Sequence, residues 1–274
     1  MRQLNPLLHL IPRRIQHLLG LLDGARWRRD AELAVTGSQI LATPVDHTAA
    51  DGLDYAPVAP GDFFGPPGGG WQQRWFRIDV PAASAGERVL FWQCQGETTV
   101  WIAGEAWAGL DVGHNYCAIP QHACTLWLDC GTYQTFMGGN AQTPMSDLPC
   151  RFRGAWLATR VEPAWEAFFD LEALVMLMQH VTDGDALRAH RPTNPIAYKL
   201  LPQLERAADR FEQEGLAACA DELRAIRARY PAESWQDVAT IVGHSHLDLV
   251  WLWPEIEGER KAVHTAATAM RRTG

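Results

Sequence analysis

Apolar residues recur every three or four positions in several stretches of the chain, and this spacing predicts helices. The first stretch covers residues 7–29, where leucine and isoleucine dominate. Three more stretches lie beyond Glu162, and they predict helices over residues 163–181, 195–211 and 216–230. Before the second of these, Asn194 suits the N-cap and Pro195 the first helical position.

The middle of the chain has a different pattern, in which short β-type runs alternate with turn residues such as Ala103-Gly104. The five runs are Trp75–Val80, Arg88–Gln95, Thr98–Ile102, Tyr116–Ile119 and Thr125–Cys130. Many short strands at close spacing predict an antiparallel β-sandwich of the jelly-roll type over about residues 71–156. A stretch rich in proline and glycine, residues 57–70, precedes it as a boundary or a long surface loop.

The same region is rich in tryptophan, and its members are Trp71, Trp75, Trp92, Trp101, Trp107 and Trp127. Tryptophan can stack on sugars, but large aromatic side chains more often belong to the core. We therefore expect most of these residues to be buried.

Potential metal ligands come after an apolar run near the end of the chain. Residues 238–243 have the composition of a buried parallel strand, and Pro254 suits the first turn of a helix. Between them stand His244, His246 and Asp248. In an extended chain, alternate residues point the same way, so the three side chains can face one pocket. Two imidazoles and a carboxylate suit zinc. The alternative is that these residues end a strand without binding metal.

The helix predicted over Pro254–Arg272 carries a stripe of apolar residues at helical spacing, namely Ile256, Val263, Ala267 and Met270. Three carboxylates lie in its first turns, namely Glu255, Glu257 and Glu259. Carboxylates near a helix N-terminus are favoured by the helix dipole, so we interpret all three as solvated residues rather than as catalytic groups.

Composition excludes several classes of protein. The 274 residues, of which 47% are hydrophobic, suffice for two domains with proper cores. A net charge of -8 argues against a protein that binds nucleic acid or an anionic membrane. The six cysteines form no CxxC pair, which argues against a cysteine zinc site. Arg13, Arg14 and His17 interrupt the leucine-rich start, so we expect no signal peptide or membrane span and a cytoplasmic location.

Residues 241–254 resemble the opening strand of the catalytic domain of glycoside hydrolase family 38, the class II α-mannosidases, in its bacterial and cytosolic type. In that family a strand ends in His-x-His-x-Asp, and a tryptophan stands three residues after the Asp. The matching positions are His244, His246, Asp248 and Trp251. The predicted order of helix, sandwich, helical connector and catalytic strand also resembles the family's order.

The resemblance implies a multi-domain fold. Residues 1–56 would be an N-terminal helical segment and loop, and residues 57–158 an antiparallel, jelly-roll-like β-sandwich. Residues 159–232 would form a helical connector. Residues 233–274 would be the first strand-helix unit of a truncated α/β barrel, the catalytic domain.

The resemblance also implies a function, that of a zinc-dependent retaining α-mannosidase acting on terminal α-D-mannosyl residues of oligosaccharides. His246 and Asp248 would bind the catalytic zinc, and Trp251 would line the sugar site. His244 would support the ligands by hydrogen bonding. The family's nucleophile, its acid/base carboxylate and its other two zinc ligands match no position here. We therefore expect an N-terminal fragment that is inactive alone, with those residues beyond residue 274.

Two other functions remain open on the sequence. A His-x-His at the end of a first barrel strand also occurs in metal-dependent hydrolases of the amidohydrolase type. The chain could instead be a non-catalytic carbohydrate-binding module. If the chain belongs to an α-mannosidase, its expected partner is a mannoside or oligosaccharide substrate. A homo-oligomer is possible on the sequence.

Overall fold

A computed structural model describes most of the chain. The described residues are 11–67, 70–83, 88–134, 148–180, 195–230 and 253–272. They form two compact units, the first within residues 1–28 and 160–241 and the second within residues 29–159 and 242–274. None of the helices in the described ranges combines the length and the apolar character that a membrane crossing needs.

Helices and strands are numbered in chain order. The helices are α1 (Ile11–Ala25), α2 (His47–Ala50), α3 (Glu162–His180), α4 (Pro195–Glu214), α5 (Leu216–Arg227) and α6 (Glu255–Arg272). The strands are β1 (Trp27–Glu32), β2 (Val35–Ser38), β3 (Tyr55–Val58), β4 (Phe63–Phe64), β5 (Gln73–Val80), β6 (Arg88–Cys94), β7 (Gly96–Ile102), β8 (Glu105–Leu110), β9 (Tyr116–Ala118), β10 (Cys124–Gln134) and β11 (Cys150–Arg160).

The first unit is a cluster of helices around one apolar core. Helix α1 buries the stripe Ile11, Ile15, Leu18 and Leu22, which recurs at the spacing of one helix face. This stripe packs against α3 and α4 and shares one core with buried residues of α3, α4 and α5, such as Leu171, Leu204 and Leu223. The helices predicted from periodicity are therefore present, and their ends differ from the predicted ones by a few residues.

The second unit contains two antiparallel sheets. One sheet has the strand order β1-β11-β6-β9, with β4 pairing on β11, and the other has the order β3-β2-β5-β10-β7-β8. Between the two sheets lies a core that includes Phe76, Trp92, Leu128 and Phe152. The predicted antiparallel, jelly-roll-like domain is thus confirmed.

A two-residue turn closes the hairpin between β7 and β8. Ile102 pairs with Glu105, and the two residues between them, Ala103 and Gly104, have φ angles of 51° and 88°. Positive φ at both central positions is the requirement of a type I′ turn, whose twist matches that of the flanking strands. The turn residues singled out in the sequence therefore set the register of this hairpin.

The six tryptophans divide into two groups. Trp75 and Trp92 are fully buried, whereas the other four are half-buried, so the expectation that most of the six would be buried was wrong. The indole of Trp92 donates to the Thr98 hydroxyl at 3.0 Å and packs against Phe76 and Phe152.

Strands β1, β2 and β11 are present although the sequence did not predict them individually. Strand β1 is almost wholly solvent-facing, so it carries no alternating apolar pattern. In β11 the alternation changes face at Gly154, where φ is 142° and the register with β6 shifts. Such a β-bulge adds one residue to a strand and breaks the period of two. The strand predicted over residues 238–243 lies outside the described residues, as does Asn194.

Candidate functional site

Four residues near the end of the chain were predicted to bind metal or sugar or to support the metal ligands. His244, His246, Asp248 and Trp251 all lie outside the described residues, so their roles stay predictions. Within the described ranges, no three His, Cys, Asp or Glu side chains are arranged to hold a metal ion. The structure does describe the chain immediately after the motif, namely Trp253, Pro254 and helix α6.

Helix α6 begins at the predicted point. The carbonyl oxygen of Pro254 accepts hydrogen bonds from the backbone N–H groups of Glu257 and Gly258, at 3.0 and 3.2 Å. Pro254 thus supplies the first carbonyl of the helix, and the missing N–H of proline costs nothing at this position.

The apolar stripe of α6 is not the face that the helix buries. Ile256, Val263 and Met270 are 43%, 36% and 64% exposed, and of the predicted apolar stripe only Ala267 is buried. The helix lies against β7 and β8, and the side chains that face the sheet are polar. Arg260 pairs with Asp129 of β10 and Lys261 with Glu97 of β7, while His264 and Thr268 contact β8. Glu257 lies on the same face and pairs with Arg260 within the helix. The sheet presents carboxylates at this place, and cations of the helix pair with them, so polar residues rather than the apolar stripe face the sheet.

The first of these pairs joins Arg260 to Asp129 of β10. Arg260 donates through Nε to Oδ2 at 3.1 Å and through Nη2 to Oδ1 at 2.5 Å, which is the bidentate geometry of strong guanidinium-carboxylate pairs. Its Nη1 donates to Glu257 at 2.6 Å. Asp129 also accepts a hydrogen bond from Gln73 Nε2 at 2.9 Å. Glu257 is therefore buried and paired, and the prediction that it is solvated was wrong; Glu255 and Glu259 are exposed, as predicted.

A second pair lies one position further along the helix. Lys261 Nζ donates to Glu97 of β7, and the same ammonium lies 4.6 Å from the centre of the Trp253 ring. A cation over an indole face is attracted by the negative face of the ring. Lys261 thus links the sheet to a tryptophan that stands five residues after Asp248.

Burial and charge act in opposite directions on this cluster. Burial raises the pKa of Glu257, and the neighbouring Arg260 only partly offsets it. For Arg260, burial alone would lower the pKa, but Asp129 and Glu257 together outweigh burial, so the pKa is raised. Because Asp129 and Glu257 are both engaged by the Arg260 guanidinium, the arrangement fixes a helix rather than preparing a carboxylate for attack.

The second half of α6 is held by close packing. The backbone N–H of Gly109 donates to the Thr268 hydroxyl at 2.9 Å, and a Cβ at Gly109 would lie 2.6 Å from ring atoms of His264. Glycine is therefore required where helix and strand approach most closely.

Sequence reasoning missed the carboxylates and cations of this cluster. The spacing of Glu257, Arg260, Lys261 and His264 does indicate one helix face. The carboxylates that pair with the two cations, Asp129 with Arg260 and Glu97 with Lys261, lie more than a hundred residues away on strands, and no local pattern marks them as partners.

Comparisons with known proteins agree with the family resemblance found in the sequence. The family model described as "alpha-mannosidase, jelly roll domain" matches residues 31–144. The chain is 25% identical over 232 residues to alpha-mannosidase 2C1 of Mus musculus, covering 79% of this chain and 21% of that protein. It is 26% identical over 270 residues to alpha-mannosidase 2C1 of Homo sapiens, covering 93% of this chain and 25% of that protein. The chain thus spans a quarter or less of the length of these relatives. The resemblance to the α-mannosidases is confirmed.

Proposed function

We propose that this chain belongs to a zinc-dependent, retaining α-mannosidase that removes terminal α-D-mannosyl residues from oligosaccharides. One observation carries the proposal: a jelly-roll domain matched by the α-mannosidase model precedes a His-x-His-x-Asp motif in the same chain. The similarity to both α-mannosidase relatives covers most of the chain and supports the same conclusion.

Each residue of the motif has a proposed role. His246 and Asp248 hold Zn²⁺, which accepts nitrogen and oxygen ligands and, when bound, polarises hydroxyl groups of the sugar. His244 orients the ligands by hydrogen bonding. Trp251 lines the sugar site, because an indole presents a large apolar surface to the ring.

The described residues contribute a rigid support in this proposal. Catalytic groups must be held within a fraction of an ångström, and sites attached to packed secondary structure achieve this better than free loops. Helix α6 begins seven residues after Asp248 and is fixed to the sheet by two ion pairs, of which Arg260–Asp129 is buried and Lys261–Glu97 partly buried. A retaining mechanism also needs two carboxyl groups, a nucleophile and an acid/base. We assign neither, because the paired Asp129 and Glu257 are unsuited to either task.

Hydrolysis of p-nitrophenyl α-D-mannopyranoside, together with zinc content by elemental analysis, tests the proposal. Hydrolysis and zinc content are measured on this chain and on the full-length protein that its gene encodes. In the active form, His246→Ala and Asp248→Ala should lose zinc and activity together. His244→Ala should lower zinc affinity or activity by about 10 to 100-fold, as is usual when a residue that hydrogen-bonds to a metal ligand is removed. His122→Ala is the matched control, since His122 is exposed in the jelly-roll domain and should change neither quantity.

Three outcomes would contradict the proposal. His246→Ala with full metal content and full turnover would exclude the assigned ligands. Release of the inverted anomer, seen by NMR early in the reaction, would exclude retention. Turnover of amide or phosphoester substrates without mannoside hydrolysis would favour an amidohydrolase-type enzyme instead. A cytoplasmic location belongs to the same proposal and is tested by cell fractionation.

A further inference from the structure

A cavity of about 220 Å³ lies between the six-stranded sheet, the start of α2 and the first half of α6. Its floor is a row of three cross-strand neighbours on the outer face of the sheet. Trp75 on β5 and Thr99 on β7 both pair with Asp129 on the strand between them. All three are buried, so the floor is fixed by the sheet.

One side of the cavity is aromatic. The imidazole of His47 stacks on the indole of Trp101, with ring centres 5.0 Å apart and an interplanar angle of 19°. The same imidazole meets Trp75 nearly edge-on at 6.4 Å. His47 and Trp101 are half-buried and Trp75 is fully buried, so His47 and Trp101 supply the ring surface that a ligand in the space can reach.

The polar groups around the cavity are also held in place. Asp46 caps α2, and its Oδ1 accepts hydrogen bonds from the backbone of Thr48 and Ala49 at 2.9 and 3.2 Å. Asp129 and Arg260 are locked together in their buried bidentate pair. Glu259 lies at the exposed rim, on α6. Preorganised groups of this kind lower the cost of ordering a site when a ligand binds.

Size and charge limit the ligand. A volume of 220 Å³ equals that of roughly seven liquid waters of about 30 Å³ each, and it lies below the range of roughly 300–1,000 Å³ usual for drug-sized ligands. One small ring therefore fits. Asp46, Asp129 and Glu259 bring three negative charges against the single positive charge of Arg260, which disfavours an anion.

We propose that this cavity binds a single neutral pyranose. The C–H groups of such a ring pack on indole and imidazole surfaces, while its hydroxyl groups both donate to carboxylates and accept from a guanidinium or imidazole. The site goes beyond the proposed hydrolysis, since none of these lining residues is a predicted zinc ligand. It would hold a sugar unit of an oligosaccharide without cleaving it.

Titration of the chain with methyl α-D-mannopyranoside tests this, with tryptophan fluorescence and the indole N–H signals in ¹H–¹⁵N NMR as readouts. We expect saturable shifts of the Trp75 and Trp101 indole signals. Trp127 is the internal reference, since it lies on the same sheet but contacts Tyr55 and Arg77 instead of lining the cavity. Methyl α-D-glucopyranoside and methyl β-D-galactopyranoside extend the panel of neutral pyranoses.

Variants separate binding from folding. Trp101→Ala should weaken binding at least about tenfold by removing one ring surface. Trp127→Phe, the matched control, should leave it unchanged. If Trp101→Ala fails to fold, Glu259→Gln decides, because this side chain is exposed and its loss should weaken binding without altering the melting temperature.

Several results would overturn the proposal. Absence of a saturable shift with all three glycosides would do so, as would unchanged affinity in the folded Trp101→Ala or Glu259→Gln variant. Saturation by tetramethylammonium but not by the glycosides would identify a cation site instead. Binding should survive His246→Ala and EDTA; its loss under either condition would place the sugar at the metal motif. If the chain binds the glycosides but the whole product of its gene hydrolyses no mannoside, the proposed function is refuted and the sugar site stands.

Discussion

Replacing Asp129 by alanine should release helix α6 from the sheet. In the folded chain, the Asp129 carboxylate accepts two hydrogen bonds from Arg260 and one from Gln73. The side chains of Arg260 and Asp129 are only 13% and 8% exposed. Alanine therefore leaves a buried guanidinium with a single partner, Glu257.

The magnitude comes from the cost of an uncompensated buried charge. Removing one partner of a buried ion pair destabilises by about 3–5 kcal/mol. Because Glu257 still accepts from Arg260, we expect the lower end, about 3 kcal/mol. Gln73 keeps a hydrogen bond to the carbonyl of Val45, so it adds little. A loss of about 3 kcal/mol corresponds to roughly a hundredfold change in the equilibrium for release of the helix.

Hydrogen-deuterium exchange of the α6 amides, monitored by mass spectrometry, measures this equilibrium directly. Exchange over Glu255–Arg272 should speed up roughly a hundredfold, because local opening exposes those amides. The matched control is Asp79→Ala on β5, whose side chain is 69% exposed and lies 3.4 Å from Arg77. A surface pair of this kind contributes about 0–1 kcal/mol, so α6 exchange should hardly change.

A second substitution checks the cause. Adding Arg260→Met to Asp129→Ala removes the uncompensated charge and should recover part of the protection of α6. If Asp129→Ala changes α6 exchange no more than Asp79→Ala does, the ion pair does not hold the helix. If the α6 amides of the double variant exchange faster than those of Asp129→Ala alone, the effect of Asp129→Ala does not come from an unpaired buried charge.

The pKa of Glu257 is raised in the folded chain, so folding favours the protonated carboxyl group. The stabilisation that this group provides is therefore complete below the usual pKa range of glutamate. It is lost as the pH rises through the pKa of the folded state. Urea unfolding from about pH 4 upward should show this falling contribution in the native chain and not in Glu257→Gln; parallel pH profiles of the two would contradict it. Gly109→Ala should speed up hydrogen-deuterium exchange of the α6 amides, because the new Cβ would meet the His264 ring. The control Gly20→Ala in α1, which has open space around it, should leave that exchange unchanged. Equal α6 exchange in the two variants would disprove the close approach of Gly109 and His264. Burial raises the pKa of the Cys219 thiol to about 12, so iodoacetamide at about pH 8 should label it slowly in the folded chain and quickly in urea. Fast labelling of Cys219 without urea would refute this burial.

Local patterns predicted the strands that have one buried face. Strand β5 alternates buried Phe76 and Ile78 with outward Arg77 and Asp79, and β7 ends at a turn whose residues accept positive φ. Both signals lie within a few residues of one another, so they could be recognised without knowledge of the partner strands. The edge strand β1 has no such signal because its side chains face solvent.

The candidate site was predictable only in part. The spacing of His244, His246 and Asp248 led to the α-mannosidases, and the comparisons confirm that resemblance. The roles of these residues remain predictions. The docking of α6 was not predictable, because apolar spacing indicates a buried face only when the opposing surface is apolar. Here the opposing surface carries Glu97 and Asp129.

This polar docking has a consequence for how α6 is oriented. Apolar contact is non-directional, so a helix held by Ile256 and Val263 alone could settle in several rotations. A bidentate guanidinium-carboxylate pair is satisfied in one geometry, and the Lys261 pair one position further along fixes the rotation a second time. Buried ion pairs contribute little net stability after desolvation, but they discriminate strongly against arrangements that leave a charge unpaired. The helix immediately after the predicted ligands is therefore held in one orientation by charge, while its larger apolar side chains, Ile256, Val263 and Met270, remain exposed.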